Sequence, residues 1–249
     1  MRTARLDTGA MTTADPASCV RHEQNEAPDP TALLKLLTFL SPAFPIGSFS
    51  YSHGLEWLIV DDRLRDAESI RAWLVDLLEI GSLWNDAVLL AEAHRAHADP
   101  ARLLAVAELA EALAPSNERR LEAMAQGTAF LEAVAAAWPC PQALRLLAIG
   151  GAPYPVAAGA CAAAHGIGLD AALPAWLNAA AATLVSVGVR LIPIGQNAGL
   201  KVLAALHPLI AATAKRATAS TFDDLGSSTI LADIASMRHE QQYSRVFRT

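Results

Sequence analysis

Several things are scarce in this 249-residue chain, and each scarcity removes a class of protein. Only three cysteines occur, Cys19, Cys140 and Cys161, far apart and odd in number. That pattern supports neither a disulfide framework nor a clustered zinc site, and it suits a reducing cytoplasm. Charged residues make up only 18% of the chain, the formal net charge is −6, and no basic block occurs. Nucleic acid is therefore excluded as the main partner. Aromatic residues are 6%, β-branched runs are few, and no pair of alternating segments reads as a hairpin.

What remains is apolar and largely alanine. The hydrophobic fraction is 53%, and alanine is the best helix former. Composition alone therefore points to an all-α fold, read here as a single-domain bundle of about ten helices. The longest uncharged run, Ala171 to Val189, meets the length of a membrane span. It contains Pro174, Asn178, Thr183 and Ser186, and its alanines carry little insertion energy. It reads as a buried core helix, with no membrane involved. Residues 1–30 are polar, carry Pro16, Pro28 and Pro30, and have no apolar core of a secretory leader. They read as a disordered tail.

The helical domain is expected over residues 31–228. Thr31 is a candidate N-cap, followed by Leu33, Leu36, Leu37 and Leu40 at helical spacing. Pro42 and Pro45 break that helix, since proline disfavours the helical conformation in the residue before it. A second helix is expected from near Ser48 to Val60, and a third capped by Asp66 and closed by Gly81 as a C′ glycine. A fourth starts at Ser82. Asp99 and Pro100 then supply a cap and an N1 residue, and a long helix reads from Asn117 to Trp138. Shorter segments cover 142–149 and 156–165. After the uncharged helix, two more are expected, 196–206 and 209–219. Residues 229–249 stand apart as a C-terminal docking helix and tail. Ile230, Ile234 and Met237 recur at helical spacing. Arg238, His239, Tyr243, Arg245, Val246, Phe247 and Arg248 then mix aromatic and cationic groups, the types enriched at interface hot spots. Tyr243 and Phe247 could pack on the chain's own core; partner docking, with ordering on binding, is the preferred reading.

Three constellations suggest chemistry and do not sustain it. Gly195 to Lys201 is only superficially a phosphate loop: its lysine is displaced, Val202 replaces the required hydroxyl and no strand precedes it. It is better read as a glycine-bounded helix start presenting Gln196 and Lys201 to a partner. His94 and His97 fit a solvated helix C-terminus better than a metal site. On a helix, His53 and Glu56 would share a face, but Ser52 would point elsewhere, so no catalytic triad forms. Cys140 and Cys161 read as small packing residues.

The stretch 41–57, SPAFPIGSFSYSHGLEW, closely resembles the urease accessory protein F (UreF) family, with Pro45, Gly47, Ser50, Tyr51, His53, Gly54 and Glu56 as its structural motif. Residues 190–196 together with Gly199, and so Gly195, resemble a second family segment. A third is the tail, with Ser236, Met237, Arg238, His239, Glu240, Tyr243, Arg245, Phe247 and Arg248. The resemblance implies an all-α protein that dimerises and has no catalytic centre or cofactor of its own. It implies binding to UreD (UreH in some organisms), recruitment of the GTPase UreG, and delivery of nickel to apo-urease. It also implies that the tail contacts UreD, with Gln196 and Lys201 near the UreG surface. A regulator of UreG GTP hydrolysis is the alternative. Gly47 and Gly54 read as junction glycines that need a positive φ or close packing.

Overall fold

The computed structural model describes residues 29–248. The expected N-terminal tail therefore lies outside the described residues, apart from Asp29 and Pro30. These two open the first helix: Asp29 accepts the Thr31 amide and Pro30 occupies the first turn. Asp29 is thus the N-cap, and Thr31 is not. Proline at N1 costs no intrahelical bond, because that N–H has no partner in a helix anyway.

Eleven α-helices and two short 3₁₀ turns make up the described residues, with no strand. They are α1 (Pro30–Phe39), α2 (Leu55–Val60), α3 (Ala67–Ile80), α4 (Ser82–Ala96), α5 (Pro100–Ala112), α6 (Asn117–Ala137), α7 (Pro141–Ala148), α8 (Tyr154–Ala164), α9 (Leu169–Leu191), α10 (Gln196–Thr218) and α11 (Ile230–Glu240). Local chemistry sets the boundaries. Asp66 and Ser69 form a reciprocal capping box at α3, Asp99 accepts the Ala101 and Arg102 amides at α5, and Ser116 accepts Arg119 N–H at α6. Each such cap contributes about 1 kcal/mol.

The centre of the bundle is α4 against α8, flanked by α6 on one side and by α9 and α10 on the other. Nearly all of α8 is buried, and small residues allow the approach. A Cβ at Gly159 would run into the Leu90 carbonyl of α4, and one at Gly127 of α6 into the Ala152 carbonyl. Helix α9 is long and apolar enough to cross a membrane by length and composition, yet half of its most apolar window is buried. It packs along α10 and touches α4, α2 and α8.

Three sequence expectations give way here. The helix expected from Ser48 to Val60 is split into a 3₁₀ turn at Ser48–Ser50 and the short α2, because His53 and Gly54 both take positive φ, 54° and 79°. The two helices expected at 196–206 and 209–219 are one, and α10 runs through Pro208. Proline removes one backbone bond and crowds the preceding turn. Ala204 and Pro208 are both on the exposed face, so water can serve the freed carbonyl. Gly81 closes α3 in an extended conformation (φ −124°), not a left-handed one. Its missing Cβ instead makes room for Thr229, about 3 Å from where that atom would sit.

Helix α11 forms as expected, but its apolar spacing faces the wrong way for a core. Ala235, Ser236 and His239 are buried, while Ile230, Leu231, Ile234 and Met237 are exposed.

Candidate functional site

The loop before α2 builds the site. Gly47 (φ 69°) starts the 3₁₀ turn, and His53 and Gly54 then reverse the chain through left-handed conformations. The reversal sends His53 towards α6 and lets Glu56, in the first turn of α2, face the C-terminal tail. Gly54 also sits against α11: a Cβ there would lie 2.8 Å from the Ser236 backbone nitrogen. No larger residue fits between the two segments.

Glu56 is almost fully buried and receives three donors. Its Oε1 accepts Val246 N–H at 2.7 Å, and its Oε2 accepts Phe247 N–H at 2.8 Å. His239, wholly buried, places Nε2 3.2 Å from the same Oε2. The other ring nitrogen, Nδ1, lies 2.8 Å from Glu118 on α6. Glu118 also accepts Arg245 Nη1 at 2.7 Å, and its backbone N–H donates to Glu240. One imidazole thus sits between two carboxylates, and Arg245 pairs with the second of them. Breaking one partner of such a buried set leaves an uncompensated charge, at a cost of about 3–5 kcal/mol.

A second polar group adjoins it through His53. Its Nε2 is 2.7 Å from Glu122 Oε1, and Glu122 also holds Arg119 and accepts from Gln126. Burial pushes the His53 pKa down, Arg119 adds to this, and Glu122 opposes it. The imidazole is therefore neutral at neutral pH and donates to Glu122. Its Nδ1 is buried without a partner.

All three segments that carry the family resemblance meet at one point. Phe247 from the tail lies under the Arg190 guanidinium, 4.4 Å from its ring centroid, and Arg190 Nη1 donates to Phe49 O at 2.8 Å. Arg248 N–H donates to Ser50 O at 2.7 Å. Among the remaining tail residues Met237, Arg238, Glu240, Tyr243, Arg245 and Arg248 are exposed, Tyr243 entirely so, although Glu240 and Arg245 reach inward to Glu118. The alternative reading is therefore the right one for Phe247, which packs on the chain's own core. Tyr243 does the opposite.

Other sequence candidates are placed as follows. Pro45 is exposed, Ser50 half-buried and Tyr51 buried. Gly195 (φ 75°) caps α10, with Gln196 and Lys201 exposed beside it and Gly199 packed on Val185 and Val189. His53 and Glu56 do not share a helical face, because His53 precedes α2. His94 is half-buried and bonds Ile167 O at 2.9 Å, so it is only partly solvated and ties α4 to the loop before α9. Cys140 and Cys161 are free and buried; the Cys140 thiol is held at about 6, first by a hydrogen bond from Cys161. Among the described residues no group of three or more His, Cys, Asp or Glu side chains is placed to hold a metal. Sequence reading missed Glu118, Arg119, Glu122 and Arg190 as site residues. The available signal was Glu118 and Glu122 at i, i+4: two carboxylates on one face of a helix.

The UreF family model matches residues 64–207, more than half of the chain. A urease accessory protein UreF of Rhizobium leguminosarum bv. trifolii (strain WSM2304) is 55% identical over 218 residues, covering 88% of this chain and 96% of that protein. The chain belongs to the UreF family. A UreF of Rhizobium meliloti (strain 1021) is 52% identical over 224 residues, covering 90% and 99%. One of Rhodopseudomonas palustris (strain BisB5) is 50% identical over 222 residues, covering 88% and 91%. This UreF-family chain thus matches nearly the whole length of its relatives. The family model takes in the second resemblance segment up to Gly199, while the loop before α2 and the tail lie beyond it.

Proposed function

We propose that this UreF-family chain is a non-enzymatic cytoplasmic adaptor. It bridges UreD (UreH) and the GTPase UreG in the assembly that delivers nickel to apo-urease, and it acts as a homodimer. The outer face of the tail is the UreD-docking surface, and the exposed start of α10, with Gln196 and Lys201, is offered to UreG.

One observation carries this reading. The inner face of the tail is fixed by Glu56, Glu118 and His239, while Ile230, Ile234, Met237, Tyr243 and Val246 are left in water. A helix normally buries its apolar stripe. Exposed apolar side chains along α11 and the tail, in company with the exposed Arg238, Glu240 and Arg248, have the composition of a partner interface, which mixes apolar and charged groups. Polar groups on the inner face hold the stripe in a fixed orientation, which reduces the entropy lost on docking.

Co-expression with UreD and UreG, followed by size-exclusion chromatography with mass measurement, tests the proposal. A complex containing all three chains is expected. The double variant Ile234→Asp/Tyr243→Asp should lose UreD and keep its own fold. Retention of UreD by that variant would refute the docking surface. Comparing UreG GTP turnover with and without this chain separates adaptor from regulator, since an adaptor leaves the rate unchanged.

A further inference from the structure

Helices α7 and α8 pack on each other across the Gly150–Gly151 turn, and their contact brings two cysteines together. Cys140 is the N-cap of α7 and Cys161 lies in the last turn of α8, each ten residues from the nearer glycine of the turn. Both are free and buried, Cys161 wholly and Cys140 at 5% exposure. The Cys161 thiol hydrogen-bonds to the Cys140 sulfur, so the two sulfurs are direct neighbours. Cys140 lies just below the surface, between the exposed Pro139 and Pro141.

The two thiols are chemically unequal. The Cys140 pKa is brought down to about 6, first by the Cys161 hydrogen bond. Burial opposes this, while the first-turn amides of Ala143 and Gln142 and the nearby His165 add to it. The Cys161 pKa is pushed well above the usual thiol range, because Cys161 is the donor of that bond and is buried beside the Cys140 charge. At neutral pH one sulfur is therefore a thiolate and its neighbour a thiol. The thiolate is the form that attacks an oxidant, and a thiol beside it can resolve the product.

We propose that Cys140 and Cys161 form an oxidisable dithiol, which hydrogen peroxide converts into an intramolecular disulfide clamping the start of α7 to the end of α8. The Cys140 thiolate attacks one peroxide oxygen and breaks the O–O bond, giving a Cys140 sulfenic acid and hydroxide. The Cys161 sulfur then attacks the Cys140 sulfur, and its proton leaves with the sulfenic oxygen as water. The peroxide takes up the two electrons that the sulfurs lose. In a reducing compartment the pair rests as thiols and closes only when peroxide rises. The clamp involves neither the tail nor the start of α10, and it does not depend on the adaptor reading.

The test uses the full-length protein carrying Cys19→Ser, so that only this pair can react. Hydrogen peroxide under native conditions near neutral pH should give a product lighter by two hydrogens. Peptide mapping should link Cys140 to Cys161, and dithiothreitol should reverse the change. The urea midpoint of the oxidised protein should lie above that of the reduced one, because the closed loop restricts the unfolded chain. Two further variants separate the roles of the sulfurs. In Cys161→Ser, which keeps a donor beside Cys140, a sulfenic acid should accumulate at Cys140 and be trapped by dimedone. In Cys140→Ser, Cys161 should be oxidised at least about tenfold more slowly, since it is buried and protonated. The mapped disulfide needs neither of these variants to fold. Oxidation of each sulfur to sulfinic acid without a linked peptide, disulfides formed only between molecules, a urea midpoint lowered by oxidation, or equal reactivity of the two single thiols would each overturn the proposal.

Discussion

At the scale of single residues, Glu56 does more than its place in a short helix suggests. It joins the loop before α2 to the last turn of the tail through two backbone amides and one imidazole. Glu56→Ala is expected to cost about 3–5 kcal/mol, because His239 and two amides lose their acceptor in a dry site. Urea unfolding would measure the cost, and amide exchange at Val246 and Phe247 should rise first. The two glycines of the loop differ in a way that a pair of variants can read. Both have positive φ, but Gly47 faces open space and Gly54 faces the backbone of Ser236. Gly47→Ala should cost about 1 kcal/mol from conformation alone. Gly54→Ala should cost about 3 kcal/mol, because a backbone clash is added. Equal losses would mean that the contact with α11 is dispensable. Asp86 and His53 give opposite pH signatures. The Asp86 pKa is raised to about 6 in the fold, so the protonated form is favoured there. Its stabilising contribution is complete below pH 3.8 and is lost as pH rises through about 6. Relative to Asp86→Asn, the native chain should lose on the order of 2 kcal/mol between pH 4 and 7. The lowered pKa of His53 acts the other way, with stability falling as pH drops below 6.5.

At the scale of elements, the α4–α8 pair rests on backbone proximity. Gly159→Ala places a methyl group against the Leu90 carbonyl in a core with no room to yield. A loss of about 2–3 kcal/mol is expected by urea denaturation, the usual range for overpacking. Helix α10 shows the reverse situation, in which a residue that should break a helix does not. Its Pro208 is exposed, so the lost bond falls on the water-facing side and the buried stripe Val202, Leu206, Ile210, Ala214 continues past it. Burial of that stripe outweighs a proline penalty of about 3 kcal/mol. Helix α11 reverses the usual meaning of periodicity. The spacing of Ile230, Ile234 and Met237 correctly announced a helix, but the face it marks is the outer one.

At the scale of the whole molecule, the tail closes the structure and also presents a surface, and these roles can be separated. Removing residues 236–249 should abolish capture of UreD and should also lower stability by several kcal/mol, because Glu56 and Glu118 lose His239, Arg245 and the tail amides. Replacing only outward residues, as in Ile234→Asp/Tyr243→Asp, should cut capture while stability shifts by less than about 1 kcal/mol. Thermal unfolding beside co-purification distinguishes the two. If both variants destabilised equally, the tail would be a core element alone.

By itself the sequence determined the helical class, most helix boundaries and the family; α9, read as a fully buried core helix, has only half of its most apolar window buried. Class, boundaries and family depend on local propensity, on caps such as Asp66, Asp99 and Ser116, and on the motif residues of the loop and tail, all of which act within a few residues along the chain. Only the tertiary structure decided that Glu56, Glu118 and His239 would meet across more than a hundred residues, that Phe247 turns in while Tyr243 turns out, and that Asp86 borders a cavity. Whether a polar residue is paired, or an apolar one covered, depends on what distant chain arrives beside it, and spacing along a helix carries no record of that neighbour.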